Sequence, residues 1–169
     1  EPSNSNSNQE PSNSNSNVVS NSNSNTPLNT VITDTVAGYV FEVPKGYKVN
    51  TKTAQYAQLL NTSDNSQVII MPTTQKYDEL RKYRNNKSYV DSYLKGTGIS
   101  IQSYLVIKTY GGKEFLVCDV SYSGNIVVMT FSKMSDGNTM VLYFANPSYT
   151  NNYSKISLFA NTVKTAKAA

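Results

Sequence analysis

Histidine and tryptophan are absent from the 169 residues, and cysteine occurs once, at Cys118. One cysteine excludes a disulfide framework within a single chain, and with no histidine beside it the metal sites built from His or Cys clusters are excluded as well. A serine nucleophile would have to use lysine as its base, and no Ser-x-x-Lys stands beside a strand-to-helix turn. Gly96-Thr97-Gly98 is a lone G-x-G with no third glycine and no Walker lysine, so no phosphate loop is expected. Nothing approaches the ~18 to 20 consecutive apolar residues that span a bilayer, and no signal-peptide pattern is present. The chain starts with Glu1 and lacks an initiator Met. The expectation is therefore an export signal removed from upstream, either ending in a lipid-modified cysteine that tethers the domain or leaving a secreted, untethered product.

Charge and apolar side chains are both scarce at the start. From Glu1 to Asn25 the only aliphatic side chains are Val18 and Val19, and PSNSNSN is spelled twice, at Pro2–Asn8 and Pro11–Asn17, before SNSNSN at Ser20–Asn25. Ordering a backbone residue costs about 1 to 2 kcal/mol, and side chains this polar recover little of it by burial. Residues 1–35 are read as a disordered Asn/Ser-rich linker. A prion-like segment would interleave aromatics, and none occurs before Tyr39. A repeat this short and polar has no apolar face to stack as a solenoid.

What is there begins near Val36. From that residue onward 15 Lys/Arg stand against 8 Asp/Glu, a net of +7, with 13 Tyr. This is one domain, 36–169, basic enough to favour acidic partners but without a dense cationic run. Cys118 lies inside FLVCDV and reads as a small core hydrophobe.

Tyr39–Val43 reads as a strand ended by the turn Pro44-Lys45-Gly46. Tyr56–Thr62 and Gln67–Met71 flank Ser63-Asp64-Asn65-Ser66 and read as a hairpin. Thr74 to Lys95, rich in long charged residues and Tyr and free of Gly and Pro, predicts helix. Asn85-Asn86 bends or interrupts it, leaving one helix or two open, and Ser88 with Asp91 imitates a capping box. Four strands follow as a meander, Ser103–Tyr110, Glu114–Tyr122, Ile126–Met134 and Thr139–Ala145, joined by short Gly- and Asn-bearing turns that predict antiparallel pairing. Their continuous apolar character predicts cover on both sheet faces. Asn151 to Ala166 carries the helical stripe Ile156, Phe159, Ala160, Val163. The fold class is α+β, an antiparallel β-sheet flanked by helices.

That order, with FEVPKGYKV at Phe41–Val49, resembles the PsbP-like superfamily, the fold of photosystem II extrinsic proteins and of a Ran-binding nuclear import factor. Phe41, Pro44, Gly46 and Tyr47 stand where members carry an aromatic strand running into a Pro-x-Gly-aromatic turn. The resemblance covers about 130 residues by element order but about nine by motif. It implies an α/β/α sandwich and, by analogy with exported bacterial relatives that have no assigned activity, an extracytoplasmic address rather than a reaction. No metal-binding or docking motif of the photosynthetic members is matched.

The candidate chemistry is thin. Acid/base work without histidine would need two carboxylates, and the candidates are Asp78, Glu79, Asp91 and Asp119. Adjacent helical residues point about 100° apart, so Asp78 and Glu79 read as solvated charges, and Asp119 as a strand carboxylate with a structural partner. The remaining signal is Tyr interleaved with cations, Tyr77, Arg81, Lys82, Arg84, Lys87 and Tyr89, a surface able to stack on sugars or grip an acidic partner. The same tyrosines could instead pack the helix onto the sheet. The expected role is an exported, non-catalytic envelope binding or scaffold domain without cofactor or metal, monomeric, taking an envelope protein, an acidic polymer or a lipid surface. Nucleic acid is excluded by that address. The alternatives are a passive subunit of a surface assembly and a carboxylate-only hydrolase.

Overall fold

Period-two alternation carries about half of the described residues into strands, and in several of them both alternating sets are apolar. In the computed structural model, which describes residues 31–146 and 153–169, the strands are β1 (Ile32–Val36), β2 (Tyr39–Val43), β3 (Tyr47–Lys52), β4 (Ala57–Asn61), β5 (Gln67–Lys76), β6 (Ile99–Ile101), β7 (Val106–Tyr110), β8 (Lys113–Tyr122), β9 (Asn125–Lys133), β10 (Asn138–Ala145) and β11 (Lys167–Ala168). The helices are α1 (Tyr77–Arg81), α2 (Lys87–Tyr93) and α3 (Ile156–Thr165). Most of the expected linker, residues 1–30, lies outside the described residues. Ile32 to Thr35, which the sequence places in that linker, form most of β1: each pairs with a residue of β2, from Ile32 opposite Val43 to Thr35 opposite Val40.

The unit from Ile32 to Ala169 contains two sheets. A small one has the order β1-β2-β11, and a large one the order β3-β4-β5-β10-β9-β8-β6, with β7 also paired to β8. Every pairing is antiparallel, as the short turns predict. The Pro44-Lys45-Gly46 turn closes with Tyr47 N–H donating to the Pro44 carbonyl at 3.1 Å and Gly46 at φ +88°. It does not make a hairpin but passes the chain from the small sheet to the edge of the large one.

Three sequence expectations are corrected. Thr74 to Lys76 continue β5 instead of starting a helix, because β10 supplies a ladder partner: Lys76 stands opposite Asn138, and Thr73 Oγ1 donates to the Thr139 carbonyl at 2.9 Å. The choice left open at Asn85-Asn86 falls to two helices, parted by Asn85 at φ +65°, a backbone region open to Asn at little cost. Asn86, not Ser88, caps α2, accepting from the Tyr89 N–H at 2.9 Å. The strand expected from Ser103 begins at Val106. Ser103 Oγ instead accepts from the Asp119 N–H at 2.8 Å, and Gln102 N–H donates to the Asp119 carbonyl at 2.7 Å, bridging the gap along β8 between β6 and β7.

The large sheet has a core on each face. On one, Phe115, Val117, Val128, Leu142 and Phe144 pack with Phe41 of β2 and with Ile156, Phe159 and Val163 of α3. On the other, Leu116, Cys118, Met129, Phe131 and Val141 pack with Tyr77, Leu80, Val90 and Leu94 around α1 and α2. The alternation within β8 sends Phe115 and Val117 one way and Leu116 and Cys118 the other. Among the described residues, no helix is long and apolar enough to cross a membrane.

Candidate functional site

The Tyr-and-cation segment is held mostly by its own neighbours. Tyr77 is buried and its hydroxyl donates to Glu114 Oε2 at 2.6 Å. Arg81 donates to the same carboxylate through Nε at 2.8 Å and Nη2 at 3.3 Å. These two donors hold the Glu114 carboxyl below its ordinary range, Arg81 contributing most. Lys82 pairs with Glu79 at 3.2 Å, Lys87 with Asp91 at 3.1 Å, and Arg84 Nη1 donates to the Arg81 carbonyl at 3.2 Å. Tyr89 stacks on Tyr83 with ring centroids 3.7 Å apart and accepts from Gln75 Nε2. The six candidates therefore share one stretch of surface, but three of the four cations face carboxylates, and Tyr77 serves the core.

The other carboxylate candidates are dispersed. Asp78 meets Lys133 at 3.2 Å, and Asp119 accepts from the Tyr153 hydroxyl at 2.7 Å. None of the four candidate carboxylates is paired with another. Cys118 is buried, and burial pushes its thiol up to about 12, so it is not a poised nucleophile. Among the described residues, no group of three or more His, Cys, Asp or Glu could hold a metal ion.

A different place has the form of a site. Helices α1 and α2 cover only part of their sheet face. Beyond them lies an open trough of about 680 Å³, within the ~300–1,000 Å³ usual for ligand clefts. Three strands build its floor in register: Gln58 on β4 stands opposite Ile69 on β5, and Ile69 opposite Tyr143 on β10. The row continues to Met129 and Cys118, which lie in the helix-covered core. Side chains on one cross-strand row thus pass from fully buried to half-open. Met71 and Val127 extend the apolar floor, and Tyr122 and Ile126, at the β8–β9 turn, are 52% and 42% exposed at its edge. Gln58 Nε2 donates to Gln67 Oε1 at 2.7 Å, tying two rim amides together. Burial holds the Tyr143 phenol above its ordinary range. Among the described residues sixteen line the trough, and none of them is Asp, Glu, Lys or Arg.

No trough residue was singled out by the sequence reading. The spacing of Gln67, Ile69 and Met71 was a usable signal, since it puts them on the face opposite Val68 and Ile70. That this face stays open at their end depends on where α1 and α2 stop.

No known protein family's sequence profile matches the chain, and no curated protein is matched. Among solved structures it is similar to the cyanobacterial PsbP (CyanoP) of Synechocystis sp. PCC 6803, with 13% identity over 83% of this chain and 92% of that one and a TM-score of 0.43. It is also similar to LpqN, described as involved in cell envelope biogenesis of Mycobacterium tuberculosis, with 14% identity over 82% of this chain and 91% of that one and a TM-score of 0.39. The first of these carries the PsbP name of the superfamily that the sequence resembles. Likeness at this level carries no argument about activity, and the chain is characterised by its own α+β architecture, an antiparallel sheet with one face covered and the other half-open.

Proposed function

We propose that this chain is a non-catalytic binding domain of the cell envelope and that it binds through the trough on the half-open sheet face. The observation that carries this reading is the trough's lining: a concave, mainly apolar floor with amides and tyrosine at its sides and, among the described residues, no carboxylate or cation. A hydrolytic site would need an acid and a base within reach of one bond, and this lining has neither. The export address and the use of the Asn/Ser-rich leader as a spacer belong to the same proposal and rest on composition. The basic segment around Arg81 and Arg84 is the lesser surface, because three of its four cations, Arg81, Lys82 and Lys87, are already paired with carboxylates.

The test is nuclear magnetic resonance of the ¹⁵N-labelled full chain, titrated separately with polymer, lipid and protein fractions of solubilised envelope. The reading expects signals of Gln67, Tyr122 and Ile126 to move while those of Lys82 and Arg84 stay, with little change at raised salt, since no charge pair is formed. Movement confined to Lys82 and Arg84, suppressed by salt, returns the function to the basic segment.

A further inference from the structure

Taking the trough as the binding site, we infer that its ligand is an uncharged glycan chain, laid with its sugar rings on the apolar floor and its hydroxyls against the amide rim. Charge complementarity makes the first cut. The domain from Val36 onward carries a net of +7, yet none of that charge lines the trough. An anionic polymer or a phosphate-bearing headgroup would be attracted to the domain elsewhere and would find no counter-ion here.

The polar rim makes the second cut. Gln58, Asn65 and Gln67 bring side-chain amides to the edge of the apolar floor. A bare acyl chain across this rim would remove water from amides and give nothing back, at about 1 to 3 kcal/mol for each group left unmade. Sugar hydroxyls both donate and accept, as side-chain amides do. The bond between Gln58 Nε2 and Gln67 Oε1 fixes the amide orientations and does not use the Gln67 NH₂ as donor. Pre-oriented amides lose little side-chain entropy on binding.

Shape makes the third. The trough lies on a sheet face rather than along a strand edge, so a peptide could not add to it by backbone pairing. It is half-open to solvent, which suits a chain resting across it more than a tail buried end-on. The ring of Tyr122 offers flat apolar surface at its edge, and the C–H face of a pyranose ring gains dispersion contacts against such surface without a charge.

The experiment titrates the full chain with maltohexaose, cellohexaose and chitohexaose as neutral probes, and with a hexamer of galacturonic acid and a lysophosphatidylcholine below its micelle concentration as controls. Binding is read by calorimetry and by the side-chain NH₂ signals of Gln58 and Gln67. The expected result is saturable binding of at least one neutral hexamer that moves those signals, survives about 0.5 M salt and weakens about tenfold in Tyr122→Ala or Gln67→Ala. Both substituted residues are exposed, and an unchanged melting temperature confirms that the variants fold. If the lysolipid moves the trough signals and no hexamer does, the trough stands as a site and the glycan assignment is overturned. If only the galacturonate hexamer binds, the assignment is likewise overturned. If no probe moves the trough signals, and envelope fractions move only Lys82 and Arg84, the underlying site reading falls with it.

Discussion

Arg81 and Glu114 form a two-pronged pair, Nε to Oε2 at 2.8 Å and Nη2 to Oε1 at 3.3 Å, that locks the end of α1 to the start of β8. The Tyr77 hydroxyl shares Oε2 at 2.6 Å. Residues that read as a binding surface in the sequence are thus partly a clasp between helix and sheet.

Removing the acceptor tests the clasp. Glu114→Ala leaves the hydroxyl of the buried Tyr77 without its partner and is expected to cost about 1 to 2 kcal/mol, read as a lower urea midpoint with unchanged slope. Tyr77→Phe, which removes only one hydroxyl, costs less, about 1 kcal/mol. The Glu114 carboxyl is held low in the fold, so its contribution is complete above the ordinary carboxylate range and is lost as pH falls through its lowered value. In Glu114→Ala that part of the acid sensitivity is gone.

Asp64 and Lys155 make a second tie, at 2.6 Å, from the β4–β5 turn to the residue before α3. The Lys155 ammonium, with Ser66 Oγ and N–H, lowers the Asp64 carboxyl from 3.8 to about 2. Because the folded value is the lower one, stability from this group is full above about pH 4 and declines as pH falls toward 2. Asp64→Ala loses the pair and the turn bonds together and is expected to destabilise by about 1 to 2 kcal/mol at neutral pH. Its thermal stability, followed by circular dichroism, should then fall less than that of the native chain between pH 4 and 2.

Gly111 lies against α3 so closely that a Cβ placed there would come within 2.8 Å of Ala160 Cβ and 3.2 Å of the Ser157 carbonyl. It also has φ +57°. Gly111→Ala is therefore expected to cost about 1 to 3 kcal/mol. Gly124→Ala, also at positive φ but with nothing within 4 Å, bears only the backbone part. Comparing their denaturation midpoints separates the helix contact from the turn.

Cys118 is fully enclosed among Leu116, Met129 and the helix residues, with its thiol pushed up to about 12 by burial and by the neighbouring Asp119. A disulfide-exchange reagent at pH 8 should label none of it in the native chain and one thiol per chain in denaturant. Fast native labelling would show that the helix-covered core opens locally.

Much of the fold was legible because it is local. The turns at Pro44-Lys45-Gly46 and Ser63-Asp64-Asn65-Ser66, the hairpins of β7 to β10 and the stripe Ile156, Phe159, Ala160, Val163 all follow from neighbouring residues. Thr74 to Lys76 were misread as helix because their strand partner, Asn138 and its neighbours, is some sixty residues away. β1 was missed because its polar alternation, Ile-Thr-Asp-Thr-Val, has meaning only beside β2. In the Tyr-and-cation segment Tyr77 and Arg81 are legible as residues, but their shared partner Glu114, 33 positions after Arg81, is not.

The sequence by itself determined the composition of the leader, the scarcity of catalytic and metal-binding side chains, and a β-rich domain with apolar residues for two faces. Tertiary structure alone decided which surface stays open. Pairing of β5 with β10 fixes where α1 and α2 descend, they cover one part of the sheet, and Gln58, Ile69 and Tyr143 are left on the uncovered part. No local rule contains that outcome, because whether a side chain is core or site depends on which distant element comes to rest above it.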